Sequence, residues 1–337
     1  MNILFIGSLN TKKHKYDGER IKTTLIYECL LKKHKITVVN LSKHKYLQCI
    51  RILWHGLFSS TFDKIIISKD PRGARIIHII LNFCKTDFSK IIYLEIGPLL
   101  EEVFKKHPKS INLFKKDKRI VVETNDLASD LEKYGLNNCV IFQNFKKRYN
   151  NELVLKDYPV EVLDCIFLSR MEFNKGIFDI IKSLNIINKN RTLVHVDFYG
   201  EFCNQNEKKR FLSIIEGRND CCFNGSIEIK DKTSYEKLSN YDLHIFPTRY
   251  DEGIPGSIID FLFAGVPTLS SSFKHCFDIL DKDCSYVFEQ NNIESMIKSL
   301  DYIYSNQLEL NNKRKLSFIR GSQFTDEQFG LFLDSLL

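Results

Sequence analysis

Two carboxylates, Glu252 and Asp260, stand eight residues apart in the second half of the chain, with Gly253-Ile254-Pro255-Gly256-Ser257 between them. An ionised carboxylate only accepts hydrogen bonds, so a pair at this spacing can grip a polyol at two points. The stretch between them reads as a helix start, because proline is tolerated at a first helical position and glycine lets a backbone come close to a ligand. An open helix N-terminus presents unpaired N–H groups and positive partial charge, which suits a phosphate or the oxygens of a sugar. Earlier in the chain, Arg170 and Lys175-Gly176 occupy a second polar loop. Each feature alone has a plainer explanation: a solvated Glu and surface Asp in one loop, a solvated Arg and Lys in the other.

The surrounding elements must bring these loops together. An apolar strand at 243–246 runs into the loop of Glu252, and Ile258, Ile259, Phe261 and Leu262 give the following helix a core side. Gly265 and Pro267 end that helix, and 266–269 restart a strand. A strand at 165–168 ends at Ser169, Arg170 stands in the loop, and Lys175-Gly176 precede a helix at 177–187. Further strands are expected at 193–199, 222–223 and 286–288, and helices at 207–215, 235–239 and 293–304. The first half alternates in the same way, with strands at 2–6, 36–39, 64–67, 91–94, 120–122 and 140–142 and helical spacing between them. Continuous apolar strands alternating with helices imply parallel sheets covered on both faces. The polar stretch 144–159 reads as a linker. The fold class is therefore α/β: two doubly wound, Rossmann-like domains facing a cleft at the carboxyl ends of their strands. The domains are expected at 1–150 and 160–320, with an apolar tail at 321–337 (Phe324, Phe329, Leu331, Phe332 and Leu336) that packs against something.

Composition agrees with a two-domain globular chain: 337 residues, 43% apolar and 27% charged. No apolar run reaches the roughly 20 residues needed to span a bilayer, and the N-terminal MNILFIGS reads as a first strand rather than a signal peptide. The ten cysteines are scattered without a CxxC pair, which favours reduced thiols in cytoplasm over disulfides or a zinc site. The net charge of +7 is uneven: residues 1–150 hold 28 Lys and Arg against 14 Asp and Glu, and the remainder 21 against 28. A basic half suits nucleic acid, an anionic membrane surface or a phosphate-bearing substrate, or is simply a solvated lysine-rich surface. No Ser-His-Asp order, HExxH, Walker loop or DxD metal motif is present, and no aromatic-basic interleaving marks a nucleic-acid groove.

The stretch 246–272, FPTRYDEGIPGSIIDFLFAGVPTLSSS, resembles the E-x7-E region of the retaining, family-4-type glycosyltransferases of the GT-B fold, with Asp260 in place of the second glutamate. The segment 167–176, FLSRMEFNKG, is similar to that family's strand-G-R-x4-K-G loop, with Ser169 in place of the glycine. The resemblance covers 160–290 well and the first half loosely. It implies that Glu252 contacts the donor sugar, that Asp260 contacts the ribose, and that Gly253, Ile254, Pro255, Gly256 and Ser257 offer backbone amides. It also implies that Arg170 and Lys175 hold the donor diphosphate. Two cations there would meet the negative charge that grows as the glycosidic phosphate bond breaks, with no metal. Gly200, at the end of HVDFYG, and Asn224 match positions near the nucleotide, and Thr248 and Arg249 precede the acidic loop. In the first half, Gly18 in Asp17-Gly18-Glu19-Arg20 matches one glycine of a diphosphate-facing turn, and Glu95-Ile96-Gly97-Pro98 lies where an acceptor would bind. The family's first-domain histidine has no secure match, and His78, inside an apolar helical run, reads as structural.

The resemblance thus implies a metal-independent, cofactor-free transfer of a sugar from a nucleoside diphosphate to a glycan or polyprenyl-linked hydroxyl, with retention, in surface polysaccharide synthesis. The expected setting is the cytoplasm, with peripheral contact to the inner, anionic membrane face and no nucleic-acid partner. Two alternatives stay open: a sugar-nucleotide epimerase on the same architecture, and a non-catalytic module that binds a nucleotide or nucleic acid.

Overall fold

Runs of consecutive apolar residues form the central strands, because a parallel strand covered on both faces has no solvent side to keep polar. The structure, a computed structural model, describes residues 1–10, 18–42, 45–97, 99–149 and 151–337; Asp17 and Pro98 lie outside the described residues. The chain divides into two units, Met1–Lys147 with Thr325–Leu337, and Arg148–Phe324.

The first unit runs β1 (Asn2–Gly7), α1 (Gly18–Leu31), β2 (Lys35–Asn40), α2 (Lys45–Leu57), β3 (Lys64–Lys69), α3 (Pro71–Phe83), β4 (Ile91–Glu95), α4 (Leu100–Lys106), α5 (Ile111–Phe114), β5 (Arg119–Val122), α6 (Asn125–Glu132) and β6 (Cys139–Ile141). Its six strands lie in the order β2-β1-β3-β4-β5-β6, every pair parallel. Successive side chains of a strand feed opposite cores: Leu4, Ile6, Ile65 and Ile67 join one, while Ile3, Phe5 and Ile66 join the other. Each such burial contributes about 1.5–3 kcal/mol, which is why the strands tolerate so few polar residues. His78 is fully buried in α3, with Nδ1 2.8 Å from the Ala74 carbonyl and Nε2 2.8 Å from Asp117 Oδ2. It is core structure.

The second unit runs β7 (Leu163–Leu168), α7 (Ile177–Ile187), β8 (Val194–Tyr199), α8 (Gln205–Ile215), β9 (Cys221–Phe223), α9 (Lys232–Ser239), β10 (Leu243–Phe246), α10 (Gly256–Ala264), β11 (Thr268–Ser271), α11 (Cys276–Ile279), β12 (Ser285–Phe288), α12 (Ile293–Ser305) and α13 (Leu310–Gly321). The strand order is β12-β11-β10-β7-β8-β9, again all parallel. Helix α10 ends at Gly265 (φ +66°), where the Val266 N–H donates to the Phe261 carbonyl at 2.9 Å. Val266 therefore serves the helix end, and the next strand starts at Thr268 rather than at 266.

Helix α13 has no counterpart among the sequence expectations. Its buried positions, Leu310, Arg314, Ser317 and Gly321, keep helical spacing, but two of them are polar, so an apolar count misses the stripe. Arg314 is fully buried and donates to three carbonyls: Nε to Val154 at 2.8 Å, Nη1 to Tyr241 at 2.8 Å and Nη2 to Ser239 at 2.5 Å. Asn311 Nδ2 donates to the Lys156 carbonyl and Gln307 Nε2 to the Val160 carbonyl. The polar stretch 144–159, read as a linker, is thus pinned along the second unit over its later part, its backbone groups satisfied by side chains.

The chain closes with α14 (Asp326–Leu336), which belongs to the first unit. Phe329 stacks on Phe145 at 3.9 Å between centroids and, with Leu333, joins the core of Ile3 and Phe5. Leu331 faces solvent instead of packing. All ten cysteines are free. Among the described residues, no helix is long and apolar enough to cross a membrane.

Two stability predictions follow from buried polar groups. Arg314→Ala leaves three carbonyls without a donor and should lower the unfolding free energy by about 3 kcal/mol or more, read by urea denaturation. Arg314→Lys should restore only part, since one ammonium cannot match the planar fork; a loss below about 1 kcal/mol in the alanine variant would contradict this role. The second concerns Glu95 at the end of β4. It is buried, accepts from the Leu100 N–H at 3.0 Å through Oε1, and has no hydrogen-bond partner for Oε2 among the described residues. Burial pushes its carboxyl from 4.5 up to about 8. The folded chain therefore keeps a proton that the unfolded chain has released, so this contribution is full below about pH 4.5 and lost as pH rises toward about 8. Glu95→Gln should flatten the fall in stability over that window, a difference on the order of a few kcal/mol, and an identical pH profile in the variant would contradict the assignment.

Candidate active site

In the second sheet, β7 and β10 are neighbours, yet the chain leaves β7 toward β8 on one side and β10 toward β11 on the other. Such a reversal opens a crevice at the carboxyl ends of the two strands, where ligands bind in open α/β sheets. The loop after β7 holds Arg170 and Lys175, and the loop after β10 holds Thr248, Arg249 and Glu252.

Gly176, between the turn of Phe173–Lys175 and α7, sets how closely these loops approach. Its φ is +79°, and a Cβ there would lie 2.1 Å from the Pro247 carbonyl oxygen. Only glycine allows both the left-handed backbone and the contact. The two loops are then laced together. The Arg249 N–H donates to the Asn174 carbonyl at 2.8 Å, and Asn174 Nδ2 donates to the Tyr250 hydroxyl at 3.1 Å. The Arg249 guanidinium forks onto Asp179 of α7 at 2.8 and 2.7 Å, and that carboxylate holds its pKa above the usual arginine range. Gln290 Nε2 donates to the Tyr250 carbonyl at 2.9 Å.

Lys175 and Glu252 meet as a result. The Lys175 ammonium pairs with Glu252 Oε1, which also accepts from the Thr248 hydroxyl at 2.7 Å. The Lys175 side chain is only 6% exposed and lies 5.7 and 5.6 Å from the ring centres of Phe246 and Tyr250. Removing a lysine so far from water is costly unless its charge is matched, and Glu252 matches it. Arg170 differs: its side chain is 61% exposed, and Nη2 lies 3.3 Å from Glu172 Oε1. The structure joins Lys175 to Glu252 and leaves Arg170 at the same strand end, pointing into solvent.

Helix α10 starts just beyond. Asn204, Asp231 and Asn292 cap α8, α9 and α12 with their side chains, but Pro255 gives α10 none, so among the described residues no side chain caps its first N–H groups. Gly253, Gly256 and Ser257 are half-buried and Ile254 is buried in the core beneath. Asp260 is buried one turn on, and the Tyr235 hydroxyl approaches its Oδ1 at 3.5 Å. Burial next to that carboxylate pushes the Tyr235 phenol well above its usual range. Gly200 (φ +149°) ends β8; a Cβ there would lie 1.8 Å from the Ser169 carbonyl oxygen, so it lets the ends of β7 and β8 close up. Asn224 is exposed after β9, and its N–H donates to the Phe198 carbonyl at 2.9 Å. Gly18 is exposed at the start of α1, in the first unit. Sequence reasoning missed Asn174, Asp179, Tyr250 and Gln290; each acts through contacts to residues distant in sequence, and no local spacing marks it. Among the described residues, no cluster of three or more His, Cys, Asp or Glu could hold a metal ion.

Known proteins resemble this arrangement. Residues 156–317 match the family described as glycosyl transferases group 1. No curated protein sequence matches the chain. Among solved structures, HepE of Anabaena in complex with UDP-glucose has a TM-score of 0.74 at 12% identity, over 99% of this chain and 98% of that one. Sucrose-phosphate synthase from Thermosynechococcus elongatus has a TM-score of 0.73 at 10% identity, over 99% and 98%. The apo lipopolysaccharide outer core galactosyltransferase WaaB has a TM-score of 0.71 at 12% identity, over 100% and 99%. At such identities these likenesses are of fold, and the family match falls within the second unit. The chain thus has the GT-B fold and carries a glycosyl transferases group 1 domain over residues 156–317, which makes it a glycosyltransferase.

Proposed function

We propose that the protein transfers a sugar, with retention, from a nucleoside diphosphate to a hydroxyl of a glycan or polyprenyl-linked acceptor, in surface polysaccharide synthesis in the cytoplasm. The observation that carries this reading is the contact of Lys175 with Glu252 at the β7–β10 strand ends, beside the uncapped start of α10. A diphosphate placed there meets an ammonium, the reach of Arg170 and open backbone N–H groups. Glu252 then exchanges its ammonium partner for hydroxyls of the attached sugar, and Asp260 stands for the ribose contact. The sugar–phosphate C–O bond breaks with its electrons on the leaving phosphate oxygen. The acceptor oxygen bonds to the same carbon on the same face and gives its proton to that phosphate oxygen. The cations and helix dipole stabilise the departing charge, so the step needs no protein nucleophile and no metal. In this reading Gly200 and Asn224 serve the nucleotide side of the donor. The complexes of HepE with UDP-glucose support a sugar-nucleotide donor, and the ten free thiols suit a reducing compartment.

A donor screen by mass spectrometry identifies the sugar nucleotide, after which variants test the roles. Lys175→Ala and Arg170→Ala should each lower kcat/KM for donor about 100-fold or more, and Glu252→Gln should lower kcat by a similar factor, with circular dichroism unchanged. Full turnover in both cation variants would remove the diphosphate role. An isomerised sugar nucleotide formed without acceptor would replace the transferase reading with an epimerase.

A further inference from the structure

Helices α2 and α3 pack side by side on one face of the first sheet, and each carries a second apolar stripe on its outer side. In α2, Gln48, Ile52 and Gly56 turn inward, while Leu47, Ile50, Trp54 and Leu57 are exposed at helical spacing. In α3, Ala74, Ile77 and Leu81 turn inward, while Ile76, Ile79 and Phe83 are exposed. Trp54 is 61% exposed and Phe83 78%, and the Trp54 ring lies 4.9 Å from that of Phe58. A helix on an ordinary protein surface carries charge along this side instead.

The charge carried by the two helices has one sign. Neither helix contains Asp or Glu, and Arg51, Arg72 and Arg75 project from them. Beside α3 lies a surface groove of about 410 Å³, a size that takes a small-molecule headgroup, lined by Arg75, Ile79, Lys106, His107 and Lys109. A second hollow next to it shares Arg75 and Lys106 and adds Arg72; its one carboxylate, Glu102, stands 3.8 Å from Arg72.

We propose that the α2–α3 face seats on an anionic phospholipid bilayer, with the apolar stripes at the acyl boundary and Arg72, Arg75, Lys106 and Lys109 on headgroup phosphates. Large apolar side chains on one side of a helix, rimmed by cations, are the pattern of an interfacial helix, and tryptophan settles at headgroup depth. A negatively charged leaflet draws exactly such cations toward it, whereas a second copy of this chain would bring the same cations face to face. The proposal stands apart from the donor chemistry, because it lies in the first unit and uses none of the residues assigned to the donor.

Trp54 is the sole tryptophan, so fluorescence of the full chain reports on this face directly. Added vesicles of phosphatidylcholine with about 30 mol% phosphatidylglycerol should shift its emission to the blue and allow quenching by brominated acyl chains. In vesicle pelleting, Ile50→Asp with Ile79→Asp should weaken binding about tenfold or more, and Arg75→Glu with Lys106→Glu should abolish the preference for anionic over neutral vesicles. Circular dichroism and melting temperature should stay at wild-type values in both double variants. Emission and quenching unchanged by any vesicle would overturn the proposal, as would wild-type binding by the charge-reversed variant. A blue-shifted Trp54 without lipid, together with a dimer mass by light scattering, would assign the face to a second copy instead.

Discussion

Gly176 rests against the carbonyl of Pro247, and the functional edge of the second unit depends on that approach. A side chain at this position would collide with backbone on the neighbouring strand end, and its left-handed φ would be strained as well. With glycine there, the loop after β7 lies along the loop after β10. Lys175 then reaches Glu252, and the Asn174 carbonyl reaches the Arg249 N–H. Arg170, on the same loop but upstream of this contact, stays in solvent. Glycine's missing atom thus lets the loop hold one cation buried against Glu252, while the other stays exposed beside Glu172.

The charges at this edge are paired with one another. Lys175, Glu252 and Thr248 satisfy one another, and Arg249 and Asp179 form a closed fork beneath. Buried ion pairs of this kind seldom add stability over a well-packed apolar pair, because both ions are stripped of water. Their value here lies in geometry. An ammonium and a carboxylate kept in register hold the two loops together, and such fixed charges are the preorganisation that charge-stabilising sites require. The start of α10 adds backbone N–H groups that no side chain caps among the described residues.

The first unit uses the same architecture for other ends. Its strand order turns at β1 and β3 instead of one strand further in, and its strand ends bury Glu95 and pair Lys22 with Glu123. Its outer layer is less ordinary. Where most domains finish a helix with charge, α2 and α3 finish with leucine, isoleucine, tryptophan and phenylalanine among arginines. The acid-poor composition of residues 1–150 is therefore not spread evenly as a solvating coat; part of it rims an apolar face.

Much of this was legible in the chain itself. Alternating apolar runs marked the strands closely and helical spacing marked the longer helices more loosely, α3 and α9 starting earlier than their apolar residues, since a buried parallel strand and a half-buried helix leave different periods. The lysine, glutamate and glycine-proline turn of the loops after β7 and β10 stood out by type and by order along the chain. Three things were not legible. Helix α13 hid because its inward stripe contains Arg314 and Ser317, whose burial is sustained by carbonyls remote in sequence. Asp179, Tyr250 and Gln290 hid because each matters only through a partner on another element. The bond between Lys175 and Glu252 hid as well, for the spacing of two loops says nothing of their distance. Local sequence determines which backbone conformations and which faces are affordable, because those depend on neighbours along the chain. Which charges meet is decided by where parallel strands reverse their order and how closely the backbones pack, and that is a property of the folded sheet alone.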